Sequence, residues 1–236
     1  MLFKSEVKMF DYETYINGQP SKLVFFLHGY NGTVADHQYA IDWLCAKITD
    51  AIIIVPHAPQ VSDKNPQKKQ WFGMLKYDAE NKRAKPETSV EEIFAIYNNA
   101  ATDLKHCADS INNFIDEMQK KFNIADNQTY LIGFSQGAML AIYTSLIRQN
   151  SIAGTFSLSG LIAGSDSLDK NIKSCPPLWL FHGEDDLKVQ YKTLPYNIKW
   201  LQNHRINPQV KTYSELAHKI CEAEIDEIAK VVNLKF

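Results

Sequence analysis

Residues 133–137 read G-x-S-x-G and constrain the fold of this chain more than any other segment. A short β-prone run at 130–132 precedes them, and apolar residues then recur at helical spacing from Met139 to Leu146. A serine between a strand and a helix in this pattern is typical of a nucleophile elbow. The glycines permit a sharp turn, and the helix start offers free N–H groups to a developing negative charge. The alternative is a serine in an ordinary glycine-flanked turn.

Short apolar runs alternate with helical patterns along the whole chain. Strands are predicted at residues 22–28, 51–56, 129–133, 152–159, 178–182 and 209–213, and helices at 35–49, 89–122, 137–148, 188–203 and 219–232. Leu2 to Tyr15 could add an edge strand or hairpin. This alternation predicts an α/β fold with a mostly parallel central sheet and helices on both faces. A length of 236 residues with 45% hydrophobic content fits one domain over residues 1–236.

Composition and charge exclude several classes of protein. The net charge is -2, and the basic clusters at 68–69, 82–85 and 120–121 are short and separated, so they are interpreted as solvated faces and no nucleic-acid partner is expected. No window approaches 18 consecutive apolar residues and the N-terminus is unlike a signal peptide, which predicts a soluble, cytoplasmic protein without a membrane span. The four cysteines are far apart in sequence and favour reduced thiols over a zinc site or redox dithiol.

One segment, from Pro56 to Pro86, interrupts the alternation with many polar residues and several prolines. A loop of this length in a compact domain is expected to cover something, and here that could be the active site. Its apolar members include Trp71, Phe72 and Met74. They either contact a substrate or anchor the loop onto the core, and Trp71 and Phe72 are the candidate substrate contacts.

Ser135 needs a histidine base and a carboxylate that orients the histidine. His218 fits best, because it follows the strand at 209–213 and precedes the last helix, at the edge of the sheet where α/β proteins place their sites. The acid is expected after the strand at 178–182, where Glu184, Asp185 and Asp186 are consecutive. Spacing alone leaves the choice among them open. Asp186 could instead cap the helix that follows.

An oxyanion hole needs two N–H donors. One is the backbone of Gln136, directly after the serine, and the other comes from the loop after an early strand. Residues 28–32 form that loop, and the backbone N–H of Tyr30 is the natural second donor. His28 is interpreted as a structural histidine with satisfied ring nitrogens.

Six motifs together resemble the phospholipase/carboxylesterase family of α/β-hydrolases, which includes the acyl-protein thioesterases and bacterial carboxylesterases. In chain order they are L-H-G-Y-N-G at 27–32, P-H-A-P at 56–59, W-F at 71–72, G-F-S-Q-G-A at 133–138, H-G-E-D-D at 182–186 and A-H at 217–218. The resemblance implies Asp186 as the acid, because the family's acid ends an H-G-x-x-D pattern, and it supports Tyr30 and Gln136 as oxyanion donors. The family usually continues with proline, whereas Leu187 follows here, which keeps Asp185 in reserve.

These observations predict a serine hydrolase that cleaves carboxylic esters or thioesters with an apolar acyl group. Candidate substrates are small esters, a lysophospholipid and an S-acylated protein. No metal or organic cofactor is expected, because no ligand spacing or phosphate-binding glycine loop is present. The alternatives are a dienelactone-hydrolase-like or peptidase activity on the same fold, and a non-catalytic binding protein.

Overall fold

The computed structural model describes residues 10–234. Its strands are β1 Tyr12–Asn17, β2 Lys22–Leu27, β3 Ala51–Pro56, β4 Gln60–Val61, β5 Lys69–Gln70, β6 Thr129–Phe134, β7 Gly154–Leu158, β8 Leu178–Gly183 and β9 Gln209–Tyr213. Its α-helices are α1 Gln38–Lys47, α2 Val90–Asn99, α3 Ala101–Phe122, α4 Gln136–Ile147, α5 Ser165–Leu168, α6 Leu194–Asn203 and α7 Glu222–Val232. No α-helix in this part of the chain is long and apolar enough to cross a membrane.

Seven strands form one sheet in the order β1-β3-β2-β6-β7-β8-β9. All neighbours are parallel except β1, which pairs antiparallel with β3 at the edge. The predicted mostly parallel α/β sheet is therefore confirmed, and β1 is the predicted edge strand. The part of that prediction at residues 2–9 lies outside the described residues.

Successive residues of the central strands enter two different hydrophobic cores. In β2, Leu23, Phe25 and Leu27 pack with residues of α2, α3 and α4, whereas Val24 and Phe26 pack with residues of α1 and α7. Side chains of a strand alternate between the two faces of its sheet, so a strand covered by helices on both sides is apolar at every position. This explains why the sequence of β2 reads as a continuous apolar run.

The predicted helix at 89–122 is two helices. Ser89 caps α2 by accepting a hydrogen bond from the backbone N–H of Glu92 at 3.1 Å, and the chain turns at Ala100 before α3 begins. The two helices have different neighbours, since α2 contacts α5 and α3 packs along α4. Helical periodicity continues across Ala100, so the change of direction has no sequence signal.

The segment between Pro56 and Pro86 contains a small hairpin, β4 with β5, that was not predicted. The backbone of Lys69 exchanges hydrogen bonds with that of Gly32, at 3.0 and 3.3 Å, which ties the hairpin to the loop after β2. Asp63 accepts hydrogen bonds from the backbone N–H groups of Met74 and Leu75 at 2.9 and 2.8 Å. The first of these contacts holds the long segment beside the carboxyl end of β2, and the second closes the segment on itself.

The turn from β6 into α4 packs backbone against backbone. A Cβ on Gly137 would lie 2.1 Å from the carbonyl oxygen of Leu27, and a Cβ on Gly133 would lie 2.2 Å from the carbonyl oxygen of Gly137. Carbon atoms cannot approach oxygen atoms so closely. Only glycine at both positions allows α4 to start directly above the end of β2.

Replacing Gly137 with alanine therefore tests this close approach. In a helix with free space, alanine is more favourable than glycine by about 1 kcal/mol. Here we expect the free energy of unfolding, measured by urea denaturation, to fall by about 1–3 kcal/mol, because the helix must move away from β2. Gly73→Ala is the matched control, since its added Cβ would meet only the end of the Gln70 side chain, at 3.3 Å, and the Asp63 carboxylate at 3.5 Å. Equal effects at both positions would contradict the explanation.

Candidate active site

The loops that follow β2, β6, β8 and β9 meet at the carboxyl edge of the sheet and surround one cavity of about 560 Å³. Ser135 and His218 both line it. Crossover connections in a parallel sheet bring residues distant in sequence to this edge, which is where ligands bind in open α/β folds. The position of the cavity therefore follows from the topology of the sheet.

Ser135 has the strained backbone of a nucleophile elbow. Its φ and ψ are 56° and -117°, a conformation that non-glycine residues rarely adopt. The backbone N–H of Ser135 donates to the carbonyl of Leu158 at 2.9 Å, which secures the turn against β7. The side chain projects from the turn toward His218, and Oγ lies 3.0 Å from Nε2 of that histidine.

His218 also contacts the predicted acid. Its Nδ1 lies 2.7 Å from Oδ2 of Asp186, so a neutral imidazole with its proton on Nδ1 can accept the Ser135 hydroxyl proton at Nε2. Asp186 is 1% exposed. Burial raises the pKa of this carboxyl, but hydrogen bonding and charge from His218, together with the backbone N–H of Lys188, lower it on balance. The carboxylate is thus held in its charged form beside the imidazole.

The two interpretations of Asp186 are compatible. While Oδ2 faces His218, Oδ1 accepts hydrogen bonds from the backbone N–H groups of Lys188 and Val189 at 2.9 and 3.0 Å. The capped segment is a turn, because the next helix begins only after residue 190. Glu184 and Asp185 are exposed, and Glu184 accepts a hydrogen bond from Thr212 at 2.7 Å. Of the three consecutive acids, the structure brings Asp186 to the imidazole.

Both predicted oxyanion donors border the same cavity. Tyr30 and Gln136 line it beside Ser135, and their backbone N–H groups have no hydrogen-bond partner within residues 10–234. That of Gln136 is at the N-terminus of α4, where the helix leaves its first N–H groups without internal partners. Two backbone N–H groups without a partner among these residues thus lie on the wall of the cavity that contains Ser135.

The side chain of Gln136 has a separate role, which the sequence did not suggest. Its Oε1 accepts a hydrogen bond from the backbone N–H of Trp71 at 3.0 Å, and its Nε2 donates to the carbonyl of Phe72 at 2.7 Å. This buried amide joins the start of α4 to the long segment. The residue after the serine therefore couples the elbow to the loop that covers it.

Trp71 and Phe72 are buried in the core and do not line the cavity beside Ser135. The Trp71 indole N–H donates to the carbonyl of His28 at 2.7 Å. The structure places both aromatic side chains as anchors of the segment, the second of the two roles considered for them. Of the apolar residues named in the long segment, Met74 does line the cavity. Met139 and Val189, from other parts of the chain, line it as well.

His28 has a structural environment. It has no exposed surface, its Nε2 accepts a hydrogen bond from the backbone N–H of Ala58 at 3.2 Å, and its Nδ1 lies 2.9 Å from the carbonyl oxygen of Gly29. Burial lowers the pKa of His28 to about 4, so the ring is neutral. This agrees with its interpretation as a satisfied core histidine.

Basic side chains on the cavity wall were missed by sequence reasoning. Lys64, Arg83 and Lys188 line the cavity that contains Ser135. The interpretation of the cluster at 82–85 as a solvated face is wrong for Arg83, which is buried and paired with Asp78 at 2.6 Å. Alternating polar residues in a long loop carry no signal of which ones turn inward.

Within the described chain, no three His, Cys, Asp or Glu side chains converge closely enough to hold a metal ion.

Similarities to known proteins extend over nearly the full length of the chain. The model of the family described as Phospholipase/Carboxylesterase matches residues 16–235. Acyl-protein thioesterase 1 of Candida albicans is 24% identical over 238 residues, with 92% of this chain and 93% of that protein covered. The solved esterase PE8 is 23% identical with a TM-score of 0.77, covering 94% of this chain and 96% of its own. Acyl-protein thioesterase 2 of Zea mays is 18% identical with a TM-score of 0.68, and the coverages are 93% and 96%.

The helix that follows His218 begins at a buried carboxyl group. Glu224 of α7 has no exposed surface, and its Oε2 accepts a hydrogen bond from the backbone N–H of Cys221 at 2.8 Å. Its Oε1 has no hydrogen-bond partner among the residues described. Burial raises the pKa of Glu224 to about 7, against the lowering effect of its hydrogen bonds with Cys221.

Replacing Glu224 with glutamine tests this environment. Between its ordinary pKa of 4.5 and about 7, the folded chain holds a proton that the unfolded chain has lost, so the contribution of Glu224 to stability falls as pH rises. Glutamine keeps an acceptor for Cys221 and carries no charge. We therefore expect E224Q to gain more stability over the unsubstituted chain at pH 8 than at pH 5 in urea denaturation. Glu222→Gln, on the exposed side of the same turn, controls for removal of a charge. The same difference at both pH values would show that Glu224 is not perturbed.

Proposed function

The chain belongs to the phospholipase/carboxylesterase family of ester and thioester hydrolases, and we propose that Ser135, His218 and Asp186 are its catalytic triad. The observation that carries the proposal is the continuous set of contacts from Ser135 Oγ to His218 Nε2 at 3.0 Å and from His218 Nδ1 to Asp186 Oδ2 at 2.7 Å. Nucleophile, base and orienting acid are thus within hydrogen-bond reach in the order that acyl transfer requires.

The reaction has two steps on this arrangement. Ser135 Oγ attacks the carbonyl carbon of the ester while His218 Nε2 takes the hydroxyl proton, and the resulting oxyanion accepts hydrogen bonds from the backbone N–H groups of Tyr30 and Gln136. The imidazolium, stabilised by Asp186, returns that proton to the leaving alcohol or thiol as its bond to carbon breaks. Water then attacks the acyl carbon while His218 Nε2 takes a proton from it. The bond from that carbon to Ser135 Oγ breaks, Nε2 returns the proton to Oγ, and the carboxylic acid leaves.

The cavity supports a substrate with an apolar acyl group. Met74, Tyr97, Met139 and Val189 provide an apolar wall beside Ser135. The curated relatives in Candida albicans and Gibberella zeae are acyl-protein thioesterases. A thioester or an oxygen ester of a fatty acid therefore fits both the wall and the family, and lysophospholipids and S-acylated proteins are the candidate natural substrates.

Replacing Ser135 with alanine removes the nucleophile. We expect kcat/KM for p-nitrophenyl hexanoate to fall by about four orders of magnitude or more, because no other group forms the acyl-enzyme. Ser151→Ala, at an exposed serine, is the control and keeps full activity. A fluorophosphonate probe should label the unsubstituted chain and S151A but not S135A. Folded protein that neither labels nor hydrolyses the ester would instead favour the non-catalytic binding protein, and amide turnover as fast as ester turnover would favour a peptidase.

Replacing each of the two adjacent aspartates with asparagine tests which of them is the acid of the triad. The variant D186N keeps an oxygen that can accept from the backbone N–H groups of Lys188 and Val189. It loses the negative charge that orients the His218 ring and stabilises its imidazolium form. We expect D186N to lower kcat by up to about four orders of magnitude at neutral pH. D185N removes an equal charge one residue away, on an exposed side chain, and should lower kcat less than about twofold. Thermal unfolding shows whether each variant is folded. A larger loss in D185N than in D186N would reassign the acid.

A further inference from the structure

The cavity beside Ser135 has one strongly basic side. Lys64 and Arg83 from the long segment and Lys188 from the turn after Asp186 line it. Lys68 and Asp36 line it too, and Asp36 is the only carboxylate that does so within residues 10–234. Lys68 and Asp36 form an ion pair of 2.6 Å and neutralise each other. Among the described residues, Lys64 and Lys188 remain as cations without an ion pair, beside Arg83, whose charge is shared with Asp78, and no proposed catalytic step uses these three side chains.

Arg83 is the buried member of this group. Its side chain is 9% exposed, and Nη1 donates to Oδ2 of Asp78 at 2.6 Å. Asp78 also accepts hydrogen bonds from the backbone N–H groups of Lys82 and Arg83, at 2.6 and 3.2 Å. A guanidinium has five N–H donors, more than one shared carboxylate can accept. Asp78 therefore fixes the guanidinium in place and leaves donors for a ligand.

Lys64 and Arg83 converge on the ring of Tyr30, the residue whose backbone is a proposed oxyanion donor. Lys64 Nζ lies 5.6 Å and Arg83 Cζ lies 5.7 Å from the centroid of that ring. Burial and the positive charge of Arg83 lower the pKa of Lys64, as does that of Lys188, and they outweigh the carboxylates of Asp63 and Asp78, which raise it. Lys64 is therefore close enough to both Arg83 and Lys188 to be repelled by their charges.

The carboxylates near this group are committed elsewhere. Asp63 hydrogen bonds with the Tyr30 hydroxyl and with the backbone of Met74 and Leu75, and it does not line the cavity. Within residues 10–234, neither Lys64 nor Lys188 has a carboxylate within ion-pair distance. Among the described residues, Lys64 Nζ donates only to the amide oxygen of Asn81, at 3.3 Å.

We propose that Lys64, Arg83 and Lys188 bind an anionic group, a carboxylate or a phosphate, that the ester substrate itself carries. A bound anion would relieve the repulsion that Lys64 experiences from Arg83 and Lys188, and the guanidinium of Arg83 has N–H donors beyond the one that it gives to Asp78. The inference rests on the proposed function and extends it by naming a substrate class: an ester that carries a negative charge on its acyl group or on its leaving group.

The anion can come from either side of the ester, and two matched substrate pairs distinguish the sources. Mono-p-nitrophenyl adipate and p-nitrophenyl hexanoate share a six-carbon acyl chain and differ by a carboxylate on the acyl side. A 1-decanoylglycerol 3-phosphate and 1-decanoylglycerol share the acyl group and differ by a phosphate on the leaving group. For each pair the measured quantity is the ratio of kcat/KM for the anionic member to that for the neutral member.

We expect this ratio to exceed one in at least one pair for the unsubstituted protein. In the double variant Lys64→Gln with Lys188→Gln it should fall by about three- to tenfold, because exposed ion pairs have about that strength. Both lysines are exposed, so the double variant should fold. Lys199→Gln, an exposed lysine on α6 away from the cavity, should leave the ratio unchanged. Added sodium chloride should lower the ratio in the unsubstituted protein, because salt screens exposed charges.

The outcomes separate this inference from the proposed function. Hydrolysis of p-nitrophenyl hexanoate with a ratio of one or less in both pairs would overturn the anion site and leave the triad intact. A preference for the anionic member that survives in the double variant would also overturn it. If the unsubstituted protein hydrolysed none of these esters, neutral or anionic, the proposed function itself would be refuted.

Discussion

The close contact between the start of α4 and the end of β2 is the constraint on which the site depends. With no side chain on Gly137, its Cα can lie against the carbonyl of Leu27, and a Cβ there would be only 2.1 Å from that oxygen. This contact brings the N-terminus of α4 beside the loop that follows β2. Ser135, at the corner of the turn, is then forced into its positive φ of 56°. One backbone contact therefore positions the serine and both proposed oxyanion donors.

The segment between β3 and α2 turns this edge of the sheet into a cavity. It is held by the Gln136 amide, by the backbone pair of Gly32 with Lys69, and by the anchoring side chain of Trp71. Because Gln136 follows the serine directly, the segment and the elbow share one rigid connection. The apolar wall at Met74 and the basic wall at Arg83 both belong to this segment. Its contribution is thus to shape and charge the cavity, whereas the proposed catalytic groups come from the sheet's other loops.

The turn after β8 shows how one carboxylate can serve structure and chemistry together. The two oxygens of Asp186 face different partners, the backbone of 188–189 and the ring of His218. The backbone hydrogen bonds fix the carboxylate, and the carboxylate orients the imidazole. Burial opposes its charge, yet donors on both sides keep its pKa below the ordinary value. Sequence spacing left open whether Asp186 caps the following turn or faces the histidine. In the structure it does both, with one oxygen for each.

Apart from the break at Ala100 and the β4–β5 hairpin, the sequence by itself determined most of the elements, the parallel sheet and the elbow, because these depend on local chemistry: apolar periodicity, and glycines two residues before and after Ser135. It also located His218, because chain order and the strand before it restrict the choice. Spacing left the choice among the three acids open and the family resemblance implied Asp186; the tertiary structure shows that Asp186 and not Asp185 meets the imidazole, since adjacent side chains leave a turn in different directions. It also decided that Trp71 and Phe72 enter the core while Arg83 faces the cavity. Which side of a long loop turns inward depends on contacts with residues distant in sequence, such as Gln136 and His28, and no local pattern records those contacts.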